Sequence, residues 1–442
     1  MTERKEGRYG LPVALSTVIG IVIGIGIFFK AKPVLVAAEG NPKIAIIAWI
    51  LGGLMTIIAG LTAAEVGAAI PEAGGMFAWI RKLYGKKIGF LVGWAQAFIY
   101  TPGLVAVLAY YFVVFMFDYL GTQASDSTKY LIAMSAVTFV YIVNIYTKKG
   151  GGYIQTISTM IKLIPLIAIT IFGLLSNNNP EPFVMSEEVI QATSGNTIKL
   201  VGLALVPIMF AFDGWMLVGT IAGDLKDVKK TLPKAIILGI GIVALCYSGL
   251  NIAILKVFPA HDLIQQGGLS KVAEVLFGAG ASKLILLGIT ISAFGGLNGN
   301  ILVSTRVPYA LALEGSFPKS DYFKVVDEKS EQPVRSSWLM YVVSMTYLVI
   351  MWATKDPDTL SNIPVALFFC FYLLVFYGVF VLRKKFPEIE RPYSVPLYPV
   401  LPILAIMGGI YIVYSALCGG LTYMLVGLAI TLTGLFFYKE VK

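Results

Sequence analysis

One histidine and three cysteines are all that 442 residues offer of the side chains that usually hold metals or carry redox chemistry. Cys246, Cys370 and Cys418 each fall inside an apolar run, with no pair at disulfide or metal spacing, so each reads as a small buried hydrophobe. His261 lies in a polar connection and reads as a solvated residue rather than a proton relay. No serine–histidine pair, paired carboxylates or ligand cluster is present, which leaves an enzyme little to work with, and no cofactor and no metal are expected. A channel is disfavoured because no Thr-Val-Gly filter and no ring-forming charge motif occurs. Charge is also scarce, at 13% of residues, where a soluble domain carries about a quarter. The polar start Met1–Arg8 leads into a glycine-rich run with no small-residue cleavage site, so no cleavable signal peptide is expected.

What the chain has is hydrophobic length. Residues of the hydrophobic class make up 57%, in stretches of about 20 residues or more, enough to cross a hydrocarbon core. These read as twelve spans, roughly 11–29, 44–70, 88–119, 130–147, 153–175, 198–223, 234–255, 282–310, 336–353, 359–382, 396–417 and 420–438. The net charge of +9 is distributed as membrane topology, and no nucleic-acid partner is expected. Cationic clusters such as Arg81, Lys82, Lys86 and Lys87, or Arg383, Lys384, Lys385 and Arg391, fall in alternate connections. The others hold only scattered cations, among them Lys30, Lys32, Lys43 and Lys129. The positive-inside rule then puts both termini in the cytoplasm of a multi-pass cell-membrane protein. Residues 176–197 read as irregular, and 257–281 as short helices lying along the outer surface.

Two spans carry signals against continuity. In Gly20-Ile21-Val22-Ile23-Gly24-Ile25-Gly26 the pair Gly24 and Gly26 predicts a break, while Gly20 reads as a helix-packing position. In Phe210-Ala211-Phe212-Asp213-Gly214-Trp215 a mid-membrane carboxylate next to glycine, one turn after Pro207, predicts a second break with Asp213 capping a new half-helix. The two spans open successive five-helix blocks, and an odd-numbered block enters its second copy upside down. Discontinuous helices at matching places in inverted halves mark a transporter's binding site. An amino acid suits it: half-helix N–H groups meet the carboxylate, and free carbonyls meet the ammonium. Lys162, near the middle of the fifth span, is too deep to snorkel and reads as a fixed cation or proton carrier beside that site. Arg306 reads as an interfacial anchor, and Glu65 and Asp118 as span-end residues reaching water or a neighbour.

Several motifs occur in order: Ala64 to Gly75 (AEVGAAIPEAGG), Gly93-Trp94-Ala95-Gln96, Phe210 to Trp215, and Asp224-Leu225-Lys226 followed by Thr231 to Ile236. Phe294 to Asn300 is then followed by Glu314-Gly315. With them the chain resembles the amino acid–polyamine–organocation superfamily, in its L-amino acid transporter branch and the bacterial serine/threonine and alanine/serine/cysteine exchangers. The resemblance implies an all-α integral membrane protein of twelve helices with a LeuT-type fold. Residues 1–175 and 198–382 would be inverted repeats of five helices, helices 1 and 6 discontinuous, and 396–438 two added helices. It places Gly24, Ile25 and Gly26 at the substrate carboxylate, with Ile21, Ile23, Phe210, Ala211 and Phe212 as carbonyl or ring surface. Tyr247 stands close by and Phe210 acts as a lid. Lys162 takes the place of sodium in sodium-coupled relatives, with Ser292 meeting it. Ile25 replaces the family's usual serine, Met216 an asparagine and Gly223 a glutamate. The expected activity is sodium-independent exchange of neutral, small L-amino acids. The alternatives are proton symport through Lys162 and transport of large neutral or cationic amino acids. The connection 120–129 has no cysteine, so no disulfide-linked ancillary subunit is expected.

Overall fold

The computed structural model describes residues 10–24, 26–70, 75–147, 154, 157–158, 161–214, 216, 226–265 and 269–439, and all regular structure among them is helical. The first apolar run is two helices, α1 (Leu11–Val22) and α2 (Gly26–Ala37). Asn41 then caps α3 (Pro42–Ala69), its side chain accepting from the Lys43 and Ile44 amides at 3.0 and 3.1 Å. After α4 (Met76–Tyr84), the third run climbs through α5 (Lys86–Ala95), a π turn (Gln96–Tyr100) and α6 (Thr101–Leu120). It stops at the left-handed Gly121 (φ 66°). Ser125 caps α7 (Asp126–Tyr146), and α8 (Leu163–Leu175) is the described part of the fifth run.

The connection expected to be irregular contains α9 (Glu187–Thr193), because Ser186 caps it and Glu187 and Glu188 favour its first turn. It bends by 94° into α10 (Thr197–Ala211). Then come α11 (Val228–Val257), α12 (Ala260–Gln265) and α13 (Leu269–Ser304), the last bent at the left-handed Gly278 (φ 73°). Within 257–281, the described residues on both sides of 266–268 are helical, as the apolar spacing suggests. Next follow α14 (Val307–Leu313), α15 (Ser320–Phe323), α16 (Val334–Thr354) and α17 (Pro357–Lys385). The last two apolar runs form one element, α18 (Val400–Phe437), broken at Gly420 where the sequence separates them.

Eight of the described helical segments are long and apolar enough to cross a membrane, and α9 with α10 makes a ninth if the bent pair is one span. The bundle is apolar outside as well as inside. Phe436, Ile198 and Leu245 are 89%, 78% and 76% exposed, a cost in water but not against lipid tails. Aromatics such as Trp49, Trp79, Tyr141 and Tyr247 are fully buried. A charged pair ties two long helices together at one end of this interior. Arg383 of α17 donates through Nε and a terminal nitrogen to Glu65 of α3 at 2.8 and 2.7 Å, and Glu65 also accepts from the Val395 amide at 2.7 Å. Glu65 thus reaches a neighbouring helix rather than water.

Candidate functional site

The interruption in the first run falls where the glycines put it. α1 ends as Ile23 turns extended (φ −68°, ψ 96°), its amide donating back to Ile19 O at 2.8 Å, and α2 starts at Gly26. The last carbonyls of α1 and the first amides of α2 therefore lack intrahelical partners. α10 stops at Ala211. The Phe212 and Asp213 amides fold back to the carbonyls of Ile208 and Phe210 at 3.1 and 3.2 Å, and Gly214 takes φ 94°. Whether a helix resumes after it lies outside the described residues, as do Ile25, Trp215, the Pro71–Gly74 part of the first motif and Asp224-Leu225.

One side chain joins the two ends. The buried Tyr247 hydroxyl of α11 lies 3.1 Å from Val22 O and 3.2 Å from Ala211 O, sharing its proton between the terminal carbonyls of α1 and α10. The rings of Trp49 and Phe212 pack around it at 5.8 and 5.1 Å. Gly26 brings the start of α2 against the same place. A Cβ there would sit 3.0 Å from both Ala211 Cα and Phe210 Cδ1, tighter than ordinary van der Waals contact. At Gly24 a Cβ would meet only Val22 O at 4.0 Å, so its backbone borders open space. Tyr247, Gly24, Gly26, Ile23, Phe210, Ala211 and Phe212 thus form one cluster. Ile21 contributes the last turn of α1 to it.

The buried Lys162 stands just before α8 and donates from Nζ to Gly20 O at 2.6 Å. This changes the reading of Gly20: a Cβ there would meet nothing within 4 Å, so it is no packing position but the residue whose carbonyl accepts from the lysine. Ser292 does not bond Lys162. Its hydroxyl is buried without a hydrogen-bond partner among the described residues, on the face of α13 where Gly288 and Gly295 meet Pro165 and Ser158.

Three participants escaped the sequence reading. Asp213 accepts from Tyr100 Oη, and Tyr372 Oη is 3.5 Å away. Tyr100 arrives there through the π turn, whose origin is Pro102. Proline has no N–H for the Phe98 carbonyl, which instead accepts from Tyr347 Oη at 2.8 Å. A proline one turn after Phe98 is a visible signal, but it says nothing of which partner takes over. The third is Lys30, expected among solvated loop cations yet 0% exposed. It is in α2, with Nζ donating to Ser361 Oγ at 2.5 Å and Asn362 Oδ1 at 2.9 Å on α17. His261 is exposed, as read, with Gln265 Nε2 at 3.1 Å. Arg306 is exposed between α13 and α14. Among the described residues no group of three His, Cys, Asp or Glu could hold a metal.

Comparison with known proteins gives one consistent picture. Residues 9–435 match the family described as amino acid permease. The serine/threonine exchanger SteT of Bacillus subtilis is 36% identical over 98% of this chain and 96% of its own length. The human large neutral amino acids transporter small subunit 2 is 29% identical over 98% of this chain and 81% of its own. The human b(0,+)-type amino acid transporter 1 is 29% identical over 99% of this chain and 88% of its own.

Proposed function

Because the chain belongs to the amino acid permease family, we propose that it exchanges neutral, small L-amino acids across the cell membrane by alternating access and without sodium. The twelve runs form a LeuT-type fold in this reading, with residues 1–175 and 198–382 as inverted repeats and 396–438 added. Both termini are cytoplasmic, so the end that carries Lys30 and Asp358 faces outward. The observation that carries the reading is the Tyr247 hydroxyl between Val22 O and Ala211 O, which holds two helix ends half a chain apart in one place.

The chemistry follows from those ends. A zwitterion leaving water must have both charges re-solvated. The first amides of α2, from Gly26 onward, present N–H groups and the positive end of a helix to its carboxylate. Carbonyls at the ends of α1 and α10, among them Ile21, Ile23, Phe210 and Ala211, present negative potential to its ammonium. Phe210 closes over the bound molecule, and Gly24, with open space beside it, lets the carboxylate approach the backbone. The Lys162 ammonium on Gly20 O supplies the positive charge that sodium would otherwise bring. The Bacillus subtilis relative, a serine/threonine exchanger 36% identical to this chain, favours serine and threonine as substrates. The transporter acts without a disulfide-linked subunit, since the turn 120–129 offers no cysteine.

The test is uptake by the purified protein in proteoliposomes. Labelled serine should enter vesicles preloaded with serine or threonine much faster than empty ones, equally well with choline in place of sodium. Accumulation that needs a sodium gradient would remove the proposal. Uptake into empty vesicles driven by an imposed pH gradient would replace it with proton symport. Competition by leucine or arginine as strong as by serine would move the substrate class to large or cationic amino acids.

A further inference from the structure

Lys30 is the fully buried cation that the exchange mechanism above does not use. Burying an ammonium costs several kcal/mol unless strong partners repay it, and its partners are of an unusual kind. The two hydrogen-bond acceptors, Ser361 Oγ and Asn362 Oδ1, are neutral. The nearest carboxylate, Asp358 Oδ1, is 4.0 Å away on a side chain 46% exposed, where water screens much of the attraction. The rest of the ammonium's surroundings is aromatic: Nζ lies 4.7 Å from the centroid of Phe210 and 5.2 Å from that of Phe29.

These contacts converge on the lid. The Phe210 ring has Gly26 beside its Cδ1 and the Lys30 ammonium over its face, and Phe29 meets it edge-on at 5.4 Å. Phe29 in turn stacks on Tyr111 of α6 at 3.7 Å, whose hydroxyl donates to Asp358 at 3.0 Å. α2, α6, α10 and α17 are thereby closed together above the helix breaks. We infer that Lys30 is a positioning residue for the Phe210 lid: it pins the ring by a cation–π contact while its hydrogen bonds tie α2 to α17. The inference rests on the exchanger reading for what the lid covers. Because the acceptors are neutral and the carboxylate is half in water, the bond set holds the closed arrangement without locking it. When α2 and α10 part from α17, water re-solvates the ammonium and offsets the lost contacts.

The experiment uses the full chain in proteoliposomes, with Cys246, Cys370 and Cys418 replaced by alanine and Val365→Cys as a reporter. Val365 is 1% exposed and one turn below Ser361 on α17, so an impermeant maleimide added outside reaches it only when the lid end opens. Lys30→Met should raise the labelling rate about tenfold, the shift expected when one state of a pair loses its differential contacts. The same variant should lower the outer KM for serine and raise the inner one, a split that simple loss of folded protein does not produce. If Lys30→Met is not recovered folded, Asn362→Ala, which removes one acceptor, should move labelling the same way by a smaller factor. Labelling at the parental rate in the folded variant overturns the inference. The labelling readout needs no substrate, so a parental protein that fails to exchange serine would count against the exchanger reading alone.

Discussion

Gly26 tests the site at the scale of single atoms. Its missing side chain is what lets α2 begin so close to α10: a Cβ there would sit 3.0 Å from Ala211 Cα and Phe210 Cδ1, so Gly26→Ala must shift the two helix ends by a few tenths of an ångström. A displacement near 1 Å at a binding centre can cost about 10²-fold in rate, so a shift of roughly a third of that should cost about fivefold. Exchange should fall by that order while the purified protein stays monodisperse; exchange within a factor of two of the parent would show that the ends need not touch. Tyr247→Phe makes the complementary change, keeping the ring against Trp49 and Phe212 but leaving Val22 O and Ala211 O without their donor. Orphaning a buried acceptor costs about 1–3 kcal/mol, to be read as a lowered Tm in detergent together with weaker serine binding. Much of this site was legible in the sequence, because two glycines in mid-span and a mid-span Asp-Gly announce a backbone that cannot run on as helix. Lys30 was not. Its position near a span end is that of an ordinary interfacial lysine, and only the arrival of Ser361 and Asn362, some 330 residues later, makes it a buried group.

Among the helices, the π turn of the third run is the feature that sequence pattern hides most completely. Hydrophobic length marks 88–119 as one uninterrupted span, and a one-residue widening leaves that length unchanged. The widening still matters, because it decides that Tyr100 turns toward Asp213 and that Tyr347 serves the Phe98 carbonyl. Pro102→Ala restores an amide able to bond Phe98 O in an ordinary α-helical turn. The expected outcome is a Tm equal to or above the parent's with a slower exchange, the pattern of a strain kept for function. A fall in both would make Pro102 merely structural. The packing of α13 on the fifth run, by contrast, could be foreseen in kind. Gly288, Ser292 and Gly295 lie on one helical face, and small residues there permit the close approach that the structure has. That Ser292 Oγ stands without a hydrogen-bond partner among the described residues could not be foreseen, since register between two helices is set by side chains on both.

Across the whole molecule, the same sparing use of charge that marks the sequence concentrates cohesion in a few polar ties, and Glu65 with Arg383 is the firmest of them. Glu65 is fully buried while the Arg383 side chain is 26% exposed, and the bidentate bond plus the Val395 amide use both carboxylate oxygens. The tie links α3 to α17 and to the segment leading to α18, more than 300 residues later in the chain. Removing one member leaves the other as an uncompensated buried charge, which typically costs about 3–5 kcal/mol. Removing both leaves only a packing defect. Arg383→Met should therefore lower the Tm in detergent far more than the double variant Glu65→Leu/Arg383→Met, and the single variant should unfold from the α17 end first, read by early proteolysis between residues 385 and 400. Because the pair lies at the end of the bundle opposite Lys30 and away from Tyr247, the double variant should bind serine with parental affinity. Equal destabilisation of single and double variants would mean that the charges are hydrated at this depth, and that the bundle is held together by its apolar faces alone.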